Sequence, residues 1–316
     1  YQYTDIEKHD SIWFKKAEQK LSSIKPVYAL IKAAATKQMI VFKNDFPVGY
    51  TGDCYKYDRQ LQDIACILEL SATINAKNGQ MHQAADTILD MMYLSEKFLY
   101  KNSPNGTLRY SIFAVKSRQS IINALQFGVF SNDDNQMLEK ALVSFNINKY
   151  IICYLREQRT SILGISRYYF SHGDSLSDEA SPTQAKIEIK LFDPLLRYMD
   201  LNFLIHTDAA IKECSKSYIA DRRKLIAMGD FFGNSGQFPN ECYFTVIDKK
   251  QSYINLTRLV LRIKSYKQTK GKYPDSLSDL SSPIPTDTFT GRSYGYLKVG
   301  NGFAVYGKGT EKWDHP

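Results

Sequence analysis

The chain has 316 residues, 43% hydrophobic and 23% charged, with only 17 glycines and 10 prolines. That balance excludes a disordered chain, which would hold too little apolar surface to offset its entropy, and it is enough for one large domain or a core domain with an appendage. Lys and Arg outnumber Asp and Glu 41 to 33, a formal net charge of +8 that can steer a protein toward polyanions or anionic lipid. The longest apolar stretches fall short of the roughly 20 residues a membrane span needs, so no transmembrane segment is expected. The first residue is Tyr1 rather than Met, so the expectation is a processed or truncated product from which any leader or anchor has been removed; a cloning boundary would look the same.

Residues 5–43 read as one or two amphipathic helices, with Ile12, Trp13, Leu21, Ile24 and Val27 among the apolar positions. Pro47, Gly49 and Gly52 mark a loop over 45–52. From Tyr57 a helical face steps through Leu61, Ile64, Ala65, Leu68 and Ala72, and a second runs through Met81, Ala84, Ala85, Ile88, Leu89 and Met92. Gly79 between them supplies the positive φ that ends a helix, so the pair should fold back as an antiparallel hairpin. Gly79 followed by the small Ala84 resembles the turn of a tetratricopeptide hairpin, but no self-similarity at a period of about 34 residues extends it, and a generic helical hairpin is the reading.

Leu108, Ile112, Val115, Ile122 and Leu125 form the stripe of a further helix, interrupted by Gln119. Ser131 or Asn132 can cap the next, with Asp133 and Asp134 at its positive end and Met137, Leu138, Ala141, Leu142 and Phe145 as its apolar face. Another helix covers about 148–169, with Ile151, Ile152, Leu155, Ile162 and Leu163. The polar segment 171–184 is a surface loop, Pro194 opens a helix running through Leu201, Leu204, Ile205 and Ala209, and 229–240 is irregular. A long helix from about 248 to 269 ends at Gly271, and Asp275 caps a short turn through Leu277 and Leu280. Tyr294, Tyr296 and Leu297, then Phe303, Val305 and Tyr306, read as two strands with Asn301-Gly302 as the hairpin signal. The fold class is mainly α: a multi-helix domain over 1–247, then a small α+β module over 248–316 made of a long helix and a short antiparallel sheet. Arg258, Arg262, Lys264, Lys267, Lys270 and Lys272 spread around the long helix and read as a solvated face; a polyanion-binding patch is the alternative, and no nucleic-acid motif accompanies them.

The stretch 254–266 (INLTRLVLRIKSY), then Gly271-Lys272-Tyr273-Pro274, Leu277, Leu280, the turn Asp287-Thr288-Phe289-Thr290-Gly291, and Tyr294 and Tyr296, is similar to the soluble end of type II secretion pseudopilins. Thr288 departs from that pattern, where a proline is usual. The likeness covers 250–316, about a fifth of the chain, and does not make this a pilin, because pilins begin with an apolar assembly helix. The whole arrangement also resembles an uncharacterised group of bacterial proteins that join a helical domain with a Gly-x-x-x-x-Ala hairpin to a pseudopilin-like tail. That resemblance implies an exported, periplasmic or envelope-associated protein and supplies no activity. Major pseudopilins bind calcium in their last loop. The corresponding tail here offers Glu311 and Asp314, a candidate calcium site, with Lys308 and Lys312 among them. Calcium takes about six to eight oxygens, so an ion-free loop is the alternative.

Other candidate chemistry is sparse. His172 and Asp174, with Asp178, Glu179, Ser171 and Ser175, form an acid-rich loop, but side chains so close in sequence seldom converge into a triad. His9, His82, His206 and His315 are isolated, and no P-loop, dinucleotide fingerprint, nucleophile elbow or zinc-protease motif is present. Cys54, Cys66, Cys153, Cys214 and Cys242 lack zinc-ligand spacing, which leaves buried thiols or one or two disulfides in an oxidising compartment. The 22 tyrosines and 17 phenylalanines are core material first, with a tyrosine-rich groove for a peptide or glycan as the alternative. The functional reading is an exported or envelope-associated interaction or scaffold protein without catalysis, with a protein or glycan partner rather than nucleic acid. The alternatives are a hydrolase whose site is assembled from sequence-distant residues, and a polyanion- or glycan-binding protein.

Overall fold

The computed structural model describes residues 11–38, 57–98, 106–145, 149–150, 152–156, 159, scattered positions between 198 and 212, 241–281 and 283–307. The chain is mostly helical, with a small two-stranded antiparallel sheet near its C-terminus. The loops expected at 45–52, 171–184 and 229–240 lie outside the described residues, as does Pro194, while Leu201, Leu204, Ile205 and Ala209 of the helix expected after it are helical.

Three helices pack pairwise at the centre: α3 (Asp58–Lys77), α4 (Met81–Phe98) and α5 (Gly106–Phe127). Leu61, Ala65, Leu68 and Ala72 of α3 face Ala84, Ala85, Ile88, Leu89 and Met92 of α4 in one buried cluster. Gly79 adopts φ +75°, and the amides of Asn78, Gly79 and Gln80 donate to the carbonyls of Ile74, Ala76 and Asn75. Those bonds satisfy the end of α3 while the left-handed glycine reverses the chain into α4.

The stripe expected on α5 is displaced around the helix. Val115 is exposed and Ile112 and Ile122 only half-buried, whereas Phe113, Ser117, Ser120, Ile121, Asn123 and Ala124 are buried. The serines carry the reason. Ser117 Oγ donates to the Phe113 carbonyl at 2.7 Å and Ser120 Oγ to the Lys116 carbonyl at 2.8 Å. A hydroxyl bonded to its own helix presents little unsatisfied polarity, so the pair acts as small core residues that let α3 and α4 approach.

The N-terminal helices α1 (Ser11–Ser23) and α2 (Lys25–Ala35) lie at the edge of this core, α1 against α3 and α2 against α4. They bury Phe14, Ile31 and Ala35, while the apolar positions expected to carry the amphipathic face include the exposed Ile12, Trp13 and Val27. With neighbours on one side only, each helix buries a narrow strip. Helix α6 (Asn132–Ser144) is capped by Ser131, whose Oγ accepts the Asp134 N–H at 3.1 Å. It buries Leu138, Ala141 and Leu142, with Phe145 just beyond its end, and leaves Met137 exposed. Residues 152–156 are helical and bury Cys153 and Leu155.

The last helix, α7 (Glu241–Lys270), begins seven residues before the expected start, so the expected division between 247 and 248 falls inside it. The two cores meet along this helix. Its Leu261 belongs to the main cluster, and its Leu259 and Ile263 join Leu280 and Tyr294 in a second one. The solvated basic face expected here is corrected at two positions. Glu139 of α6 takes Arg262 Nε at 2.7 Å and pairs with Arg258 Nη2 at 3.4 Å, while Arg262 Nη1 donates to the carbonyls of Ser281 and Pro283.

Gly271, at φ +73°, donates its N–H to the Lys267 carbonyl at the end of α7. The following short 3₁₀ turn, Leu277–Asp279, is opened by Ser276 rather than the expected Asp275. The Asp279 carboxylate accepts the N–H groups of Asp275 and Ser276, which frees the Asp275 side chain to pair with Lys298 and Lys272. Strands β1 (Gly295–Val299) and β2 (Gly302–Tyr306) pair antiparallel, with Val299 opposite Gly302. That register makes Gly300 and Asn301 the turn residues, one position earlier than expected. Gly300, at φ +54°, takes the left-handed backbone such a two-residue turn demands.

Gly291 has φ +67° and donates its N–H to the Asp287 carbonyl at 2.7 Å, while Asp287 N–H donates to Arg292 O at 2.8 Å. A Cβ there would meet nothing within 4 Å, so the cost of a side chain is the left-handed conformation alone. Gly291→Val should destabilise the C-terminal module by about 1–2 kcal/mol. Because the two buried clusters are distinct, the helical body should stay folded. Limited proteolysis checks this: new cleavage after about residue 270, with the N-terminal fragment intact, against a parent that resists.

Candidate functional site

Helix α5 turns Ser111, Ala114, Val115 and Arg118 to one side, a spacing of three, four and seven that lies along one helical face. Opposite stand Lys249, Lys250, Tyr253 and Ile254 of α7, and the floor is closed by Tyr110, Phe145 and Tyr150. The result is a cleft of about 290 Å³ between residues that are more than 130 positions apart along the chain in the case of Ser111 and Lys250. Its floor is aromatic. Tyr110 stacks edge-on to Phe145 and tilts against Tyr150, both at 5.5 Å between ring centroids. Burial pushes the Tyr110 hydroxyl far above the ordinary tyrosine value, so that phenol stays neutral.

Its rim is cationic. Arg118 lies 4.7 Å over the Tyr253 ring and Lys250 lies 5.0 Å over Tyr150. Both are within the range at which a ring's negative face attracts a cation. Lys250 Nζ also donates to Ser111 Oγ at 2.9 Å, and Ser111 Oγ donates to Tyr150 Oη at 3.3 Å. Among the described residues none that lines the cleft is acidic, and no carboxylate pairs with Arg118, Lys249 or Lys250. Lys116, two residues before Arg118, is by contrast matched by Glu69 at 2.6 Å. An apolar floor under unmatched positive charge is an arrangement for holding an amphiphilic anion.

A second cleft, about 410 Å³, lies between α6 and the C-terminal module. Glu139 bonds to Arg262 and Ser265 to Asn132 across it, so it is a polar seam between packed elements.

One histidine is placed by partners rather than isolated. His82, at the start of α4, has Nδ1 2.8 Å from Asp134 Oδ1, and Asp134 Oδ2 accepts from Ser131 Oγ at 2.7 Å. Serine and histidine therefore take opposite oxygens of one buried carboxylate, and the serine is engaged as the helix cap. This is a joint between α4 and α6, not a nucleophile beside its base. The hydrogen bond to Asp134, then its charge and that of Asp86, raise the His82 pKa. A histidine favoured in its charged form by folding contributes stability fully below its unfolded value, about 6.5, and loses it as pH rises through the higher folded value. The melting temperature should fall across that window, and His82→Gln should remove this component; equal pH profiles for parent and variant would contradict the pairing.

The residues singled out from the sequence fall mostly elsewhere. Glu311 and Asp314, the calcium candidates, lie outside the described residues, as do His172, Asp174, Asp178 and Glu179. Cys54 and Cys214 also lie outside, nothing is described of the Cys242 side chain, Cys66 is a free thiol on the surface of α3, and Cys153 is buried. Among the described residues no group of three or more His, Cys, Asp and Glu side chains could hold a metal ion, and no helix is long and apolar enough to cross a membrane. The cleft residues Arg118, Tyr150, Lys250 and Tyr253 were not legible as a group. The available signal was the alternation of cation and aromatic in Lys249-Lys250-Gln251-Ser252-Tyr253, set beside the abundance of tyrosine. No family model, no curated protein and no solved structure matches the chain.

Proposed function

We propose that the protein is a binding protein without catalysis, a helical scaffold that seats an amphiphilic ligand in the cleft between α5 and α7. The observation that carries this reading is the pair of half-buried cations Arg118 and Lys250, each over a tyrosine ring and without a carboxylate partner among the described residues. Charge left unpaired beside apolar surface is costly to a fold that gains nothing from it, and complementary to a ligand that supplies the missing half. Placement at or outside the bacterial envelope is part of the proposal and is supported by the likeness of residues 250–316 to secretion pseudopilins.

The test fills the seat. Val115 is exposed and lines the cleft, so a larger side chain there blocks the space without entering the core. The fluorescent dye 2-naphthol, neutral at pH 7 and small enough for the cleft, should bind the parent, and Val115→Trp should weaken that binding at least about tenfold, the effect of losing one well-filled apolar contact set. Equal dye binding by parent and variant, at equal thermal stability, would sink the reading.

A further inference from the structure

Resting on the reading that this cleft is a ligand seat, we infer that its ligand is a small monocarboxylate with an apolar body, an aryl or branched-alkyl acid whose carboxylate is held at Lys250 and Tyr150 within the field of Arg118. The size follows from the space. At about 30 Å³ per water-sized group, a cleft of about 290 Å³ admits roughly ten non-hydrogen atoms. A folded protein partner would need an interface of more than about 1,000 Å², far beyond what this seat presents.

The head group follows from the donors. An ammonium has three protons to give, and among the described residues Lys250 places one on Ser111 Oγ. Ser111 in turn donates to the Tyr150 oxygen, so the Tyr150 proton points away from that bond, and no described acceptor takes it. Arg118 has its plane over Tyr253 and its N–H edge without a carboxylate among the described residues. Two ammonium protons, a phenol proton and a guanidinium edge are all donors, and one planar carboxylate accepts from several donors at once. Held over the aromatic floor, a single negative charge is the least costly anion to desolvate, whereas a dianion such as phosphate would meet the apolar walls with a second charge to compensate. The body of the acid lies on Tyr110, Phe145 and Ile254, where ring and branched-alkyl groups are covered.

The experiment compares an acid with its isosteric amide on the full chain. Calorimetric titration with 3-phenylpropanoate and with 3-phenylpropanamide should show the acid binding at least about tenfold more tightly, since hydrogen bonds to a charged acceptor are the stronger ones. Added salt should weaken the acid and leave the amide unchanged. Lys250→Met and Arg118→Met keep their apolar stems and should each weaken the acid more than the amide, narrowing the gap between them, and the melting temperature of each variant reports whether it has kept its fold. Acid and amide binding alike would overturn the carboxylate while leaving the seat, which the Val115→Trp dye result decides separately. Displacement of the acid by an equal concentration of inorganic phosphate would overturn the head-group selection. Tighter binding of the tripeptide Gly-Gly-Phe, with its free C-terminus, would overturn the small acid in favour of a polypeptide end.

Discussion

Asp58→Ala should cost about 3–5 kcal/mol of stability, the penalty for removing one partner of a buried ion pair. Arg109 of α5 is 1% exposed, and its Nε donates to Asp58 Oδ1 at 2.9 Å across the α3–α5 contact. Asp58 is itself 11% exposed, so the pair sits in the middle of the central three helices with little water to screen it. Removing the carboxylate takes the Asp58 partner from a buried guanidinium that cannot shed its proton. Urea denaturation should show a lower midpoint at unchanged slope, the signature of lost stability rather than an altered denatured state. The double variant Asp58→Leu, Arg109→Met should lose less than the two single variants summed, the coupling that a direct pair shows. A loss below about 1 kcal/mol in the single variant, the value of a surface pair, would show that the pair is not buried in solution.

Glu139→Ala should loosen the C-terminal module from the helical body, at about 2 kcal/mol, since it removes one carboxylate shared by two arginines. The arginine side chains are 15% and 12% exposed, so part of the charge is already solvated and the cost stays below that of the Asp58 pair. Burial lowers the Arg258 pKa and the Glu139 charge opposes it, so the carboxylate is what keeps that guanidinium tolerable between α6 and α7. Arg258 Nε has no acceptor even with Glu139 present. The readout is hydrogen exchange: amides of β1 and β2 should exchange faster, while those of α3 and α4, whose buried residues belong to the main cluster, stay protected. Uniform change across both clusters would mean that the module and the body unfold as one unit.

Local signals were read correctly wherever the bond that makes them is local. Gly79 and Gly271 end helices with positive φ and i−3 to i−5 bonds, Ser131 caps α6 by accepting an N–H three residues on, and Gly291 turns the chain within five residues of Asp287. The hairpin signal was one residue late because Gly300-Asn301 and Asn301-Gly302 both suit a two-residue turn, and the pairing of Val299 with Gly302 chose the first. The same logic explains the cap at Ser276: Asp275 and Ser276 are both capping residues, and the Asp279 carboxylate decided between them.

By itself, then, the sequence determined the helical class, the hairpin of α3 and α4, the stop of α7 and the existence of a short antiparallel sheet, because each depends on residue type and spacing within a few turns. Only the tertiary structure decided which face of α5 is buried, since Ser117 and Ser120 look polar in sequence and become core once their hydroxyls bond to their own helix. It also decided that Arg258 and Arg262 are paired, through a glutamate 119 and 123 residues away that no local pattern connects to them. The cleft belongs to the same class. Ser111 and Lys250 meet across 139 residues of chain, and whether a lysine is solvated, paired or left unmatched beside an aromatic ring depends on what the fold sets opposite it.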